Sequence, residues 1–195
     1  MKLLSAFSIA ITLFFFQPLL GQTKNEQETR IKFSGFPMNA QLIVNKLPER
    51  CRRIKFYKET DGDKQSFETK FKYKGQWYSL EFSKDGIVED IEVITKFKHI
   101  ETSKQRQIKN YFEQSYEKYN LIKIQKQYVY SPEGQASDFV NEILSESPEI
   151  AHNFEIIAEV RTDKQRNIKE FTFDNEGAFI NYRLLNPSSY EHVLY

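Results

Sequence analysis

The stretch between residues 67 and 93 constrains the fold of this chain more than any other. Apolar and polar side chains alternate there in three short runs, a period of two that is typical of strands with one buried face. The runs are separated by Lys74-Gly75-Gln76 and Lys84-Asp85-Gly86, and glycine favours tight turns because it accepts positive φ without steric cost. We therefore predict a three-stranded antiparallel meander. Its apolar positions are Phe67, Phe71, Tyr73, Tyr78, Leu80, Phe82, Ile87, Ile91 and Val93.

Residues 1–22 have the pattern of a secretory signal peptide. Lys2 precedes a nearly unbroken apolar run from Leu3 to Phe16, which Gln17-Pro18 then interrupts. This run is shorter than the about 20 apolar residues that a membrane-spanning helix needs, and its charged start fits a cleaved leader. We expect cleavage near Gly21 or Gln22, a periplasmic or secreted protein, and no membrane span after the leader is removed.

The charge balance gives no indication of a polyanionic partner. The chain has 28 basic and 27 acidic residues, and Lys2 in the leader supplies one of the basic ones. A mature chain without net charge lacks the basic footprint that nucleic-acid binding requires. The single cysteine, Cys51, is interpreted as a small buried apolar residue; an intermolecular disulfide or a reactive thiol is the alternative.

No catalytic or metal-binding motif occurs in the sequence. It contains no glycine-rich phosphate loop, no nucleophile elbow and no HExxH, and none of the three histidines has metal-ligand spacing to another. Asp61 and Asp63 are spaced like the start of a calcium loop, but the later ligands are missing, which favours a simple turn. The sequence therefore predicts a protein that is not an enzyme and has no cofactor, no metal and no catalytic residue.

The two halves of the chain repeat the same order of predicted elements. One helix precedes the alternating run Ile54–Lys58, and a second helix, from Ser103 to about Tyr119, precedes Ile122–Lys126. Residues 78–93 and 168–184 also correspond, since both carry a phenylalanine, an acidic turn, a glycine and then a strand. This agreement indicates an internal repeat.

The repeat predicts an α+β fold of two tandem helix-plus-four-stranded antiparallel sheet units. The first unit covers residues 34–97, and the second covers residues 102–186 with a short helix inserted between its first two strands. Helices then cover one sheet face, and the two sheets can join edge to edge into one continuous sheet. Residues 23–33 are expected to be mobile, and residues 187–195 form a C-terminal tail.

The hairpin motif Phe-x-x-Asp-Gly resembles a known group of proteins. It occurs as Phe82-Ser83-Lys84-Asp85-Gly86 and, with Glu for Asp, as Phe173-Asp174-Asn175-Glu176-Gly177. With a leader and a tandem repeat, the chain resembles the PepSY-like, beta-lactamase-inhibitor-protein-like periplasmic family. This resemblance implies a non-enzymatic fold that binds or inhibits another protein, and it does not identify the partner.

The sheet face without helices is the expected place of function. On this face we expect Tyr57, Lys70, Lys72, Trp77, Ser79 and Glu81, whereas the buried parity contains Ile54, Phe56, Phe71, Leu80 and Phe82. The only tryptophan is then exposed, and exposed aromatic residues are candidate binding hot spots. We predict Tyr57 and Trp77 as partner-binding residues, although Trp77 could instead pack under a loop at the start of its strand.

Three function hypotheses follow from these observations. The first is a periplasmic or secreted binding or regulatory module whose sheet face binds a protein or peptide of the cell envelope. The second is a carrier of a small apolar ligand, with a helix–sheet pocket lined by Tyr111, Phe112 and Tyr116. The third is a hydrolase with an unrecognised site, which clustered carboxylates with shifted pKa values in a cleft would favour.

Overall fold

The computed structural model describes residues 22–145, 151–163 and 165–185, which form one sheet of ten strands with three helices. The strands are β1 (Gln22–Lys24), β2 (Glu26–Ile31), β3 (Arg52–Asp61), β4 (Lys64–Tyr73), β5 (Gln76–Ser83), β6 (Val88–Ile94), β7 (Lys118–Val129), β8 (Asn153–Thr162), β9 (Gln165–Asp174) and β10 (Phe179–Leu185). The helices are α1 (Met38–Val44), α2 (Thr102–Ser115) and α3 (Ala136–Ile143), and short 3-10 turns occur at Phe33–Gly35 and Phe97–His99. The predicted leader core at 1–21 and the tail at 187–195 lie outside the described residues.

The strands follow the order β1-β10-β9-β8-β7-β6-β5-β4-β3-β2 across the sheet. The predicted meander is confirmed, since β4, β5 and β6 pair antiparallel with the expected turns between them. The α+β class is also confirmed, but the halves do not form separate sheets. Strand β6 pairs with β7, with Ile91 opposite Tyr128, so the sheet is continuous. Edge-to-edge pairing gives both strands backbone partners that two separate sheets would leave unpaired.

The N-terminal segment joins the two edges of this sheet. Strands β1 and β2 are separated only by Asn25, yet β1 pairs parallel with β10 whereas β2 pairs antiparallel with β3. The sheet must therefore curl until its outer strands meet at this segment. The prediction that residues 23–33 are mobile is wrong, because this segment supplies hydrogen-bond partners to two otherwise open strand edges.

The helices pack on the outer, convex face of the sheet. Ala40 and Val44 of α1 join a core with Phe71, Leu80 and Phe82. The helix inserted into the second half, α3, contributes Val140 and Ile143 to this same core, and Leu144 directly after the helix also belongs to it. A second core forms beneath α2, and its buried members include Ile108, Phe112, Ile124, Ile156, Phe171 and Phe173.

The two hairpin motifs have a packing role that explains their glycines. Gly86 and Gly177 adopt φ of +78° and +85°, a region that side chains disfavour. A Cβ atom on Gly86 would lie 2.8 Å from the backbone nitrogen of Ala40 in α1, and one on Gly177 would lie 2.8 Å from the carbonyl oxygen of Lys104 in α2. In each half the hairpin therefore packs directly on the backbone of the helix that precedes it.

Three local predictions are wrong at the ends of elements. Helix α2 ends at Ser115 rather than near Tyr119, because Tyr116 is extended with φ −140°. Ile54 is exposed, since a register shift between Arg52 and Lys55 interrupts the β3–β4 pairing. Ile87 is also exposed, and Val88 takes the buried position opposite Phe82.

Candidate functional site

The inner, concave face of the sheet carries charged side chains in register. Tyr57, Glu68, Glu81 and Asp90 lie directly opposite one another on β3, β4, β5 and β6. The strand alternation places Tyr57 and Glu81 on this face, as predicted. The prediction that the face is open to solvent is wrong. Glu68 is only 4% exposed and Ser79 only 6%, because the curled sheet and the segment β1–β2 enclose the face.

The enclosed face surrounds a cavity of about 290 Å³, which we call the acidic chamber. Eleven carboxylates and five cationic side chains line it, so the chamber carries an excess of negative charge. The carboxylates belong to Glu26, Glu28, Glu59, Asp61, Glu68, Glu81, Glu89, Asp90, Glu92, Glu155 and Glu170, and the cations to Lys24, Lys64, Lys70, Lys123 and Arg183. Like charges this close repel one another, which disfavours their common ionisation.

Two groups of ion pairs neutralise part of the chamber's charge. Glu170 accepts hydrogen bonds from Lys24 Nζ at 2.9 Å and from Arg183 Nε at 3.0 Å. Burial alone would raise the pKa of Glu170, but the two cations hold it at about 2. Lys70 Nζ lies 2.6 Å from Glu28 and 3.1 Å from Glu68. These carboxylates therefore have counter-charges within the fold.

Four further carboxylates of the chamber, those of Glu59, Glu81, Asp90 and Glu155, form no ion pair within the part of the chain that the structure describes. Burial, together with the charge of neighbouring carboxylates, raises the pKa of Glu81, Asp90 and Glu155 well above the ordinary range. Burial and the nearby Glu68 raise the pKa of Glu59 to about 10. The chamber therefore favours groups that remove negative charge, which can be protons or a bound cation.

Trp77 lines a second, neighbouring cavity of about 330 Å³, which we call the Trp77 pocket. Trp77 is half-buried, and Ile94 in the same wall is 43% exposed. Among the described residues, the lysines Lys55 and Lys123 of this pocket form no ion pair. The full lining consists of Lys55, Lys70, Trp77, Tyr78, Ser79, Ile94, Thr95, Ile122, Lys123 and Gln125. The pocket combines apolar surface with positive charge.

Tyr57 lies on the same face but does not line the Trp77 pocket. Its ring is half-buried, and Lys70 Nζ lies 5.0 Å from the ring centroid, within the range of a cation–π interaction. Strand β4 separates Tyr57 from Trp77. Lys70 contacts Tyr57 and also lines the Trp77 pocket, but the two predicted partner-binding residues do not line one common pocket.

The space proposed for a small apolar ligand is filled by aromatic side chains. Tyr111 stacks on Phe179 at a centroid distance of 4.2 Å, and Phe112 lies 4.8 Å from Phe171 in an edge-on arrangement. Phe112 is completely buried, and Tyr116 packs on it at 6.2 Å. This packing contradicts the hypothesis of a carrier pocket at Tyr111, Phe112 and Tyr116, because the rings occupy the interior themselves.

Cys51 is free and half-buried. Burial raises the pKa of its thiol to about 11. Because the thiolate is the reactive form of cysteine, this environment suits a packing role and disfavours the reactive-thiol alternative.

Sequence reasoning missed most residues of the acidic chamber. A usable indication was present, since the inward parity of β3, β4, β5, β6 and β8 carries Glu59, Glu68, Glu81, Asp90 and Glu155, respectively. Read strand by strand, these acids resemble an ordinary solvated face. The balanced total charge conceals their concentration on one side of the sheet.

Each helix within the described ranges is too short or too polar to cross a membrane. No protein-family model matches the sequence, and no curated protein matches it either.

Three solved structures from Bacteroides are similar in fold. A DUF2874 family protein from Bacteroides ovatus ATCC 8483 has 10% identity and a TM-score of 0.49, over 76% of this chain and 87% of that chain. A BLIP-like protein from Bacteroides fragilis NCTC 9343 has 12% identity and a TM-score of 0.46, over 77% and 89%. A protein from Bacteroides eggerthii DSM 20697, described as periplasmic, has 11% identity and a TM-score of 0.47, over 76% and 88%.

These descriptions name a BLIP-like protein and a periplasmic protein. They do not name PepSY. Likenesses at this level of identity and TM-score transfer no ligand and no activity to this chain.

Proposed function

We propose that this protein is a non-enzymatic binding module of the bacterial cell envelope and that its partner presents an acidic peptide segment to the Trp77 pocket. The observation that carries the proposal is the position of Trp77. Its half-buried ring stands in a pocket wall next to Lys55 and Lys123, which have no ion-pair partner among the described residues.

The chemistry of the pocket selects a segment that is both anionic and partly apolar. Trp77, Ile94 and Ile122 offer apolar surface, and a partly buried tryptophan is the residue type most enriched among binding hot spots. Lys55 and Lys123 supply positive charge beside that surface, which attracts carboxylates and disfavours cationic partners. A cavity of about 330 Å³ holds one or two side chains, so a short peptide segment suits it better than a broad protein surface.

The location in the envelope is supported by the leader pattern of residues 1–22, with its charged start and apolar core. A regulatory or inhibitory effect on the partner would follow if the captured segment is part of that partner's own site. The resemblance to the beta-lactamase-inhibitor-protein-like group is the reason to test inhibition once a partner is known.

A direct test uses the fluorescence of Trp77, the only tryptophan of the chain. The emission is titrated with an acetylated Glu-Phe-Glu-Phe tetrapeptide and, separately, with a Lys-Phe-Lys-Phe tetrapeptide. We expect the acidic peptide alone to shift the emission, and we expect Lys123→Glu to abolish the shift. Lys109→Glu, an exposed substitution on α2, is the matched control and should leave binding unchanged. Equal binding of both peptides would contradict the proposal.

The partner itself is sought by affinity capture from envelope extract. Trp77→Ala should keep the fold, as judged by circular dichroism, and should lose the captured protein. A partner that the wild type and Trp77→Ala retain equally removes Trp77 from the binding site. Peptides from a captured protein then replace the model tetrapeptide in the titration.

A hydrolase is the second candidate, because the carboxylates of the acidic chamber are clustered and several have raised pKa values, a property of many catalytic acids. The chamber has a volume of about 290 Å³, which holds only a small part of a polymeric substrate. Hydrolysis of ester and glycoside test substrates that disappears in Asp90→Asn would favour this candidate over the binding module.

A further inference from the structure

The geometry points to a binding site for a divalent cation such as Ca²⁺ at Glu81, Asp90 and Glu92 in the acidic chamber. This inference does not depend on the Trp77 pocket, and the sequence predicted no metal site. One carboxylate oxygen from each of the three residues lies within 4.8 Å of the other two. Three converging carboxylates supply the hard oxygen ligands that Ca²⁺ prefers.

The strand register explains why the three carboxylates converge. Glu81 of β5 lies directly opposite Asp90 of β6. Glu92 follows Asp90 by two residues on the same strand, which places both side chains on the same face. Rigid, paired strands therefore hold all three groups, and no loop has to close around the ion.

Asp90 gives independent evidence that a cation binds at this position. The residue is only 9% exposed, and its Oδ2 atom accepts a hydrogen bond from Gln127 Nε2 at 3.1 Å. The Oδ1 atom, in contrast, is buried without a hydrogen-bond donor among the described residues. A buried, unpartnered carboxylate oxygen is costly, and a cation in the chamber would satisfy it.

Among the described residues, no cationic side chain forms an ion pair with Glu81, Asp90 or Glu92. The nearby Lys70 is engaged by Glu28 and Glu68, and Lys64 lies 3.4 Å from Glu89. The carboxylate of Glu92 does accept a hydrogen bond from Gln125 Nε2, but an amide does not offset a full charge. Lys64 and Lys123 also line the chamber, but neither forms an ion pair with the three carboxylates, whose charge a bound cation would offset directly.

A second acidic group in the chamber differs in this respect. Glu26, Glu28 and Glu59 also bring carboxylate oxygens together. Glu26 and Glu28, however, have lysine partners at 2.5 and 2.6 Å, and Glu59 accepts a hydrogen bond from Ser66. Only the group at Glu81, Asp90 and Glu92 combines convergence with an unpartnered oxygen among the described residues.

The test is isothermal titration calorimetry with CaCl₂ on the full mature chain, up to about 10 mM, since sites in extracellular modules bind Ca²⁺ with dissociation constants of about 0.1–1 mM. We expect binding near one equivalent. Asp90→Asn should weaken it about tenfold or more, because Ca²⁺ affinity follows the number of ligand charges. Glu28→Gln removes a charge from the same chamber without touching the site, and it should bind almost as well as the wild type.

Thermal unfolding supplies a second readout, because a ligand that binds only the folded state raises Tm. Ca²⁺ should raise the Tm of the wild type and of Glu28→Gln but not that of Asp90→Asn. If Asp90→Asn fails to fold, Glu81→Gln, at a half-buried position, tests the same site. Absence of both heat and Tm shift in the wild type would overturn the inference, and equal weakening in Asp90→Asn and Glu28→Gln would overturn the assigned position.

Discussion

Arg183 of β10 and Asp61 of β3 form an ion pair across the junction of the two sheet edges, with Nη1 and Oδ2 3.7 Å apart. The same guanidinium donates hydrogen bonds to Glu170, which is only 5% exposed. Asp61 also accepts a hydrogen bond from the backbone N–H of Asn25, the residue between β1 and β2. One arginine thus connects the closing segment, the two edge regions and the buried carboxylate of the acidic chamber.

Arg183→Gln should therefore destabilise the fold far more than loss of a surface ion pair. Leaving a buried carboxylate without its partner costs about 3–5 kcal/mol. We expect roughly 2–4 kcal/mol here, because Arg183 is about one-third exposed and Lys24 still contacts Glu170. Arg166→Gln breaks the exposed Arg166–Glu159 pair and should cost about 0–1 kcal/mol. Urea unfolding of both variants provides the comparison, and equal losses would refute a special role for Arg183.

Glu59→Gln should stabilise the protein at neutral pH. The pKa of Glu59 is about 10 in the folded state against 4.5 as the ordinary value. Above pH 4.5 the unfolded chain releases this proton and the folded chain retains it, so the contribution of Glu59 to folding falls as pH rises towards 10. The gain from Glu59→Gln should reach about 3 kcal/mol at pH 7, since each pH unit above 4.5 contributes about 1.4 kcal/mol, and it should vanish below about pH 4.5.

Glu170→Gln is the matched control, and its effect on the free energy of unfolding at pH 7 should have the opposite sign. The pKa of Glu170 lies at about 2, below its ordinary value of 4.5. Its contribution is thus present above pH 4.5 and is lost as pH falls towards 2. Glu170→Gln should destabilise the protein at pH 7 and have progressively less effect in acid. Measurements of Tm from pH 3 to 8 for both variants test these opposite pH dependences. Parallel Tm curves would contradict the opposite pKa shifts of Glu59 and Glu170.

Gly86→Ala should be more damaging than Gly75→Ala, although both glycines have positive φ. A Cβ on Gly75 has open space around it, whereas one on Gly86 would meet the backbone of Ala40 and the ring of Pro37 at 2.8 Å. Gly75→Ala should cost roughly 1–2 kcal/mol from backbone strain alone. Gly86→Ala should cost about 3 kcal/mol or more, because α1 must also shift away. Urea unfolding measures both, and similar costs would show that the helix contact contributes little.

The sequence was sufficient for the elements whose pattern is local. Period-two alternation and the turns at Gly75 and Gly86 predict β4, β5 and β6, and their register confirms the apolar parity of Phe71, Leu80 and Phe82. The order of helix and strands in each half also follows from such local patterns.

The enclosed inner face could not be predicted, because it depends on contacts between distant segments. Residues 23–33 are polar and contain no recognisable strand pattern, and only the unpaired edges of β3 and β10 make strands of them. Without that closure, Glu68 and Glu81 occupy an ordinary solvated face. The acidic chamber is therefore a property of the tertiary structure, and its raised pKa values follow from the closure.

The closing segment leads to a final prediction about assembly. A chain that begins at residue 32 lacks β1 and β2 and leaves the edges of β3 and β10 unpaired. Exposed strand edges favour pairing with another chain, so this truncation should self-associate at concentrations where a chain that begins at Gln22 does not. It should also lose the ion pairs of Lys24 with Glu170 and of Lys70 with Glu28, which lowers its resistance to urea. Sedimentation velocity and urea unfolding of the two chains test this, and identical behaviour would show that the segment does not close the sheet.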